Sequence, residues 1–144
     1  MADLECGFAN PTLLQMHGPT ISVRVGFDPD FLPDGGPPSL PDSSVPSLID
    51  TGASISCIDS QLAEELTLPI IGRAAVAGAH GPGEVNEYLA HIYVPVLGIM
   101  IHGRFNGVHL RAGGQPHDVL LGRTFLQRVT LHYEGTTGRV VVSA

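Results

Sequence analysis

Apolar and polar residues alternate through Thr20–Phe27 (Thr-Ile-Ser-Val-Arg-Val-Gly-Phe), which places Ile21, Val23, Val25 and Phe27 on one face of a strand. Periodicity then disappears. Residues 28–46 hold six prolines and the adjacent Gly35 and Gly36, the pattern of a long surface loop. Surface loops gain length at small entropic cost, so an uncommitted insertion in a hairpin explains this segment better than a wall of a binding cleft. Ser47–Ile49 is a short strand leading into Asp50. Asp59 or Ser60 is positioned to cap a helix reaching about Leu66, with Leu62 and Leu66 four apart on its inner face and Pro69 as its stop. Ala74–Tyr93 has the pattern of a hairpin whose tip is Gly78–Gly83, flanked by Val76 on one side and Val85 with Tyr88 on the other. Ile92–Ile101 and Arg104–Leu110 predict two more strands bending near Gly103, and Gly113–Pro116 a turn. Val119–Leu121 is fully apolar, as a buried strand should be, and Gly122 ends it. A short helix over Arg123–Arg128 follows, then a hairpin of Val129–Tyr133 and Arg139–Val142 around Glu134–Gly138. No internal repeat is visible.

Composition supports this strand-rich picture. Glycine and proline make up 30 of the 144 residues and charged residues only 15%. Such a chain favours short strands over helices, and its length fits a single domain, 1–144, able to bury a core. The net charge is −7, every basic residue outside histidine is arginine, and there is no basic run. That argues against a phosphate-tracking surface for nucleic acid, and the acidity reads as solubility. The opening Met-Ala-Asp-Leu-Glu-Cys has neither a basic region nor an apolar core, so no signal peptide is visible. Tyr88–Ile101, the most apolar stretch, is broken by His91, Pro95 and Gly98 and is too short to span a membrane. Cys6 and Cys57 then read as reduced thiols of a cytoplasmic protein.

The candidate chemistry centres on residues 49–54, Ile-Asp-Thr-Gly-Ala-Ser. Alone, Asp50-Thr51-Gly52 is explained equally well by an Asx turn. Its context adds weight: Leu48 and Ile49 bury the approach, Thr51 brings a hydroxyl, Gly52 permits backbone angles that other residues avoid, and Ala53 is small. A second constellation lies some seventy residues later, Val119-Leu-Leu-Gly-Arg-Thr-Phe-Leu126.

In their order and separation, with a Gly-rich hairpin between them, the two segments resemble the retropepsins, the single-lobed aspartic proteases typified by retroviral enzymes. The resemblance covers about residues 20–142. It implies a mainly-β, single-lobed acid-protease fold, a closed barrel or sandwich with one or two short helices, acting as a homodimer on protein or peptide substrates. Asp50 would be the catalytic carboxylate, and the single copy of the motif means that a second chain must supply the other. Thr51 would bond to its symmetry mate, locking the active-site loops, and Gly52 would present its backbone to substrate. Ala53, Leu121, Gly122 and Arg123 would support the site, the last three as the apolar-apolar-Gly-Arg strand that threads beside the catalytic one in a ψ-shaped loop. Gly78, Ala79, His80, Gly81 and Gly83 would form the flap tip closing over substrate. Two carboxylates at close range cannot both ionise, so the pair shares one proton, a behaviour for which aspartic proteases are the standard example. The ionised member activates a water and the protonated member polarises the scissile carbonyl, with no metal or cofactor.

The chain also departs from the viral pattern. Pepsin-like enzymes often carry Ser or Thr where Ala53 stands, so one donor to the carboxylate is missing and the working range should extend from mildly acidic towards neutral. Ser54 replaces the acid that in retroviral enzymes pairs with the later arginine, which leaves Arg123 without its expected partner and Asp59 as a possible substitute. The 28–46 loop is longer than in viral enzymes, and the C-terminal hairpin runs past their endpoint. Since viral chain ends interleave to make the dimer sheet, the dimer contact here should be built differently.

Other chemistries fit less well. The seven histidines form no His-x-His or His-x3-His pair, so a metal site is not expected. Nothing orients Cys57 with a histidine as a thiol nucleophile, the glycines of 78–83 lack phosphate-loop spacing, and Ser54 lacks a nucleophile elbow. His80 reads best as an ordinary exposed loop histidine. The rival to an enzyme is a catalytically silent dimer of the same fold that binds peptides or serves as a scaffold.

Overall fold

The computed structural model describes residues 1–78 and 81–144. The elements run in the order β1 (Asp3–Glu5), α1 (Pro11–His17), β2 (Thr20–Gly26), β3 (Val45–Ile49), β4 (Cys57–Asp59), α2 (Ser60–Glu65), β5 (Ile70–Gly78) and β6 (Gly81–Val94). A 3-10 turn at Pro95–Leu97 leads to β7 (Ile99–Val108), β8 (Val119–Leu121), α3 (Arg123–Leu126), β9 (Thr130–Glu134) and β10 (Arg139–Ser143). The result is mainly β, as the pattern predicts, in the single-lobed architecture that the resemblance implies.

The larger sheet has the order β2-β3-β8-β4-β7-β6-β5, and an added pairing of β2 with β6 closes it into a barrel. β6 is long enough to serve both neighbours: its first half pairs with β5, and His91–Tyr93 pair with Gly26–Arg24 of β2. Closure removes most free edges. The alternation seen in Thr20–Phe27 is realised, with Ile21, Val23 and Val25 buried in the same core as Ile58, Ile92, Phe105 and Leu121. β1, β10 and β9 form a separate three-stranded antiparallel sheet.

Several expectations shift. The chain bends not at Gly103 but at Pro95–Gly98, because Pro95 interrupts the ladder and Gly98 takes a left-handed conformation (φ 63°). Gly103 sits inside β7 opposite Ala90. α2 ends before Pro69 can stop it: Leu66 closes the last turn and Thr67 adopts a positive φ of 53°. Within the predicted 78–83 tip, strand pairing includes Gly78 opposite Gly81 and takes in Pro82 and Gly83. Ala79 and His80 lie outside the described residues. The long loop predicted over 28–46 ends two residues early: residues 28–44 carry no regular element, but Val45 and Pro46 already belong to β3, opposite Val23 and Ser22 of β2.

Candidate active site

β3 delivers Asp50. It pairs antiparallel with β2 and parallel with β8, with Ile49 opposite Leu121. The Asp50 N–H continues this register by donating to the Leu121 carbonyl at 2.9 Å. The chain then turns sharply. The Gly52 N–H donates to Asp50 Oδ1 at 2.9 Å, and Ala53 N–H to the Asp50 carbonyl at 3.3 Å. The Asx turn and the reactive-group readings of Asp50 are therefore one geometry: the turn that satisfies one carboxylate oxygen also holds the half-buried side chain at the strand end.

β8 passes between β3 and β4, parallel to the first and antiparallel to the second, so the 50–56 loop that joins those strands must go around it. This is the ψ-shaped crossing. Gly122 makes the crossing possible. A Cβ there would lie 2.6 Å from the Ala53 carbonyl oxygen and 3.0 Å from that of Ile55, so only glycine lets the backbones meet. Its N–H donates to Ser56 Oγ at 3.0 Å. Ser56 Oγ in turn lies 2.8 Å from Thr124 Oγ1, which also accepts the Ser56 N–H at 3.2 Å. These two hydroxyls tie the loop to the start of α3 within a largely buried pocket. Nothing in the spacing of Ser56 and Thr124 announced the pair, because its meaning depends on the crossing.

Arg123 has a partner, though not a carboxylate. Its N–H donates to the Ala53 carbonyl at 2.8 Å and its Nη1 to the Thr51 carbonyl at 2.8 Å. It therefore grips the first half of the loop at two backbone acceptors, which makes the acid that Ser54 replaces unnecessary for this contact. Asp59 is not its substitute. At 1% exposure, Asp59 is fully engaged elsewhere: Oδ1 accepts from the Leu110 and Arg111 N–H groups, both at 3.0 Å, and Oδ2 from Leu62 N–H at 3.1 Å as the cap of α2. Arg111 Nε lies 3.6 Å from Asp59 and 2.9 Å from Asp118, and its hydrogen bonds, that to Asp118 foremost, hold the guanidinium more firmly protonated than usual.

Asp50 and Thr51 open onto a cleft of about 490 Å³ whose other walls are Gly18, Pro19, Leu48, Ile49, Leu131 and Tyr133. The walls around this one carboxylate are largely apolar. Cys57, next along the loop, is a free buried thiol pushed up to about 11 by burial and then by the nearby Asp50 charge, so it is an inert group rather than a nucleophile. Among the flap residues, Gly81 has a left-handed backbone (φ 98°) and Gly83 is exposed, with open space around both.

The structure also assembles an aromatic cluster that the sequence did not foretell. His91 and His102, cross-strand partners on β6 and β7, stack with ring centroids 4.4 Å apart, and Phe27 and Phe31 pack on His91. The Asp28 N–H donates to His91 Nδ1 at 3.2 Å, while buried Nε2 has no partner among the described residues. Burial, then His102, push His91 below the usual imidazole range.

The family model described as "gag-polyprotein putative aspartyl protease" matches residues 39–128, a span containing both the Asp50 loop and the Leu121–Arg123 crossing. Among solved structures, EIAV protease complexed with the inhibitor HBY-793 is similar, with a TM-score of 0.51 and 20% identity over 76% of this chain and 86% of that one. A solution structure of simian foamy virus (mac) protease is also similar, with a TM-score of 0.46 and 15% identity over 75% of this chain and 91% of that one. No curated protein matches in sequence. The chain belongs to this retropepsin-like aspartyl protease family.

Proposed function

We propose that this chain is an aspartic endopeptidase that hydrolyses peptide bonds in extended protein or peptide substrates, using a water activated by Asp50 from each of two copies at a two-fold axis. The observation that carries the reading is the position of Asp50: at the end of a buried strand, oriented by its own Asx turn, facing an apolar cleft, on a loop clamped by Gly122 and Arg123. A site held this rigidly suits a reaction whose catalysis depends on placing one water and one carbonyl between two carboxylates. One Asp50 takes a proton from the water while the other, protonated, polarises the scissile carbonyl; the proton then passes to the leaving amine. Substrate enters as a strand, bonding its backbone to the exposed edges of the β5–β6 hairpin and seating alternate side chains against the apolar walls. The 78–83 hairpin serves as the flap over the substrate, with Gly78, Gly81 and Gly83 as its contributing described residues, Thr51 braces the two loops against each other, and Gly52 offers backbone to the substrate.

Purified full-length chain, incubated with a mixed peptide library with and without a pepstatin-type inhibitor, tests this. Cleavage that is blocked by inhibitor, absent in Asp50→Asn and unaffected by chelators is the expected result. Full activity of Asp50→Ala overturns it. Peptide binding without turnover in the unaltered chain identifies instead a silent binding module.

A further inference from the structure

Two copies of Asp50 must meet for the proposed reaction, so the surface that seats the second copy is part of the machinery, and any surface assigned to it rests on that reading. The strands near the two ends of this chain already pair with each other. β1 lies antiparallel along β10, and Ala2 and Ala144 exchange both backbone hydrogen bonds, at 2.7 and 2.9 Å. The other side of β10 carries β9. Interleaving of chain ends between copies would have to break this ladder.

The alternation of an antiparallel ladder tells which groups remain free. Ala144 bonds towards β1, as does Val140, whose carbonyl accepts from the Cys6 N–H at 3.0 Å. Val141 and Ser143 therefore bond towards β9, to their register partners His132 and Thr130. The intervening residues of β9, Leu131 and Tyr133, direct their N–H and C=O groups outward, to the margin of the sheet. Their side chains line the same cleft as Asp50 and Thr51, and Tyr133 is 53% exposed. The opposite margin, β1, packs on the Pro95–Leu97 turn. An open strand edge bearing an exposed aromatic beside a half-site is a template for strand addition.

We infer that the second copy docks by antiparallel pairing of β9 with its own symmetry mate. A two-fold axis perpendicular to the strand brings an antiparallel copy of the same edge against it, the self-complementary contact of a two-fold dimer. Centred on His132, it uses the outward groups of both Leu131 and Tyr133 and joins two three-stranded sheets into one. It also brings the two clefts together, because Leu131 and Tyr133 are walls of each.

Sedimentation of the full chain and its variants across micromolar concentrations tests the surface. Tyr133→Pro deletes an edge N–H without touching the β9–β10 ladder, a position where strands accept proline; Tyr133→Val keeps that N–H. We expect Tyr133→Pro to raise the dimer dissociation constant roughly tenfold or more over Tyr133→Val, since both copies lose a bond, with an unchanged circular-dichroism spectrum. If the proline variant fails to fold, His132→Cys decides: opposed residues at the axis lie within disulfide reach, about 4.5 Å between Cα atoms, so mild oxidation should link the dimer. A dimer equally tight in the Pro and Val variants, with His132→Cys unlinked, overturns the surface and leaves the Asp50 pair intact. So does a Tyr133→Pro dimer whose KM alone rises, because the edge then binds substrate. An unaltered chain that stays monomeric and inactive removes the paired-carboxylate reading itself.

Discussion

Gly122 measures how tightly the Asp50 loop is packed. A methyl group there would meet two backbone carbonyls that cannot move without displacing Asp50. Gly122→Ala should therefore cost roughly 2 kcal/mol or more of stability, read by urea unfolding, and lower activity further by shifting the loop. Arg123 acts on the same loop from the surface. Its guanidinium is exposed, so Arg123→Ala should barely change Tm yet reduce kcat roughly tenfold by loosening Thr51, with KM for a fixed peptide changed much less. Equal losses in stability and turnover would mean that the arginine is only structural. The Leu-Leu-Gly-Arg string was legible as a unit, but the reason it needs glycine was not, because the carbonyls that a Cβ would meet belong to Ala53 and Ile55 on a distant loop. The partner of Arg123 was not, because it is a pair of backbone carbonyls, which every residue owns and no side-chain pattern reveals.

At the scale of elements, Asp59 joins three pieces of the fold. It caps α2, a helix of only six residues that is too short to persist without its cap, and it receives two N–H groups from the start of the loop that follows β7. Removing the carboxylate leaves buried donors unpaired, so Asp59→Ala should cost roughly 3 kcal/mol or more, measured by chemical denaturation. Replacing Glu65, whose contact with Arg111 at 2.7 Å is exposed, should cost under about 1 kcal/mol. The cap itself could be read from the chain, since Asp before a helical pattern is a local signal. Its second duty could not, because Leu110 and Arg111 are about fifty residues away. Likewise β4, three residues long, has too little periodicity to announce itself and exists because β7 and β8 flank it.

For the whole molecule, two buried histidines set an acid limit. His91 and His117 are both pushed below the ordinary imidazole value of 6.5, by burial first, then by His102 and His17 respectively. The unfolded chain thus takes up protons that the folded chain refuses. Their stabilising effect is complete above pH 6.5 and is lost as pH falls from there through the folded-state values. Thermal melting should therefore show Tm dropping between about pH 7 and pH 5, with a shallower slope in His91→Phe whatever its absolute Tm. Asp28, held below its usual range first by the Ser39 N–H, adds a loss only in stronger acid. Assembly makes a separate prediction: specific activity should fall on dilution below the dimer dissociation constant, and mixing in an excess of Asp50→Asn chain should suppress it. Activity independent of concentration at every dilution would argue for a site complete in one chain.

What the sequence by itself determined is local. The alternation in β2, the proline-rich loop, the Asp50 turn and the apolar run ending in Gly122 are encoded within a few residues, where backbone preference and side-chain period act directly. Tertiary structure alone decided the rest: the closing of the barrel through β2 and β6, the stacking of His91 on His102, the clamp on Thr51, and the pairing of β1 with β10 that leaves β9 open beside Asp50. Each of these joins segments far apart in the chain through register and shared burial. A backbone N–H carries no mark of the carbonyl it will meet until the strands between them are packed.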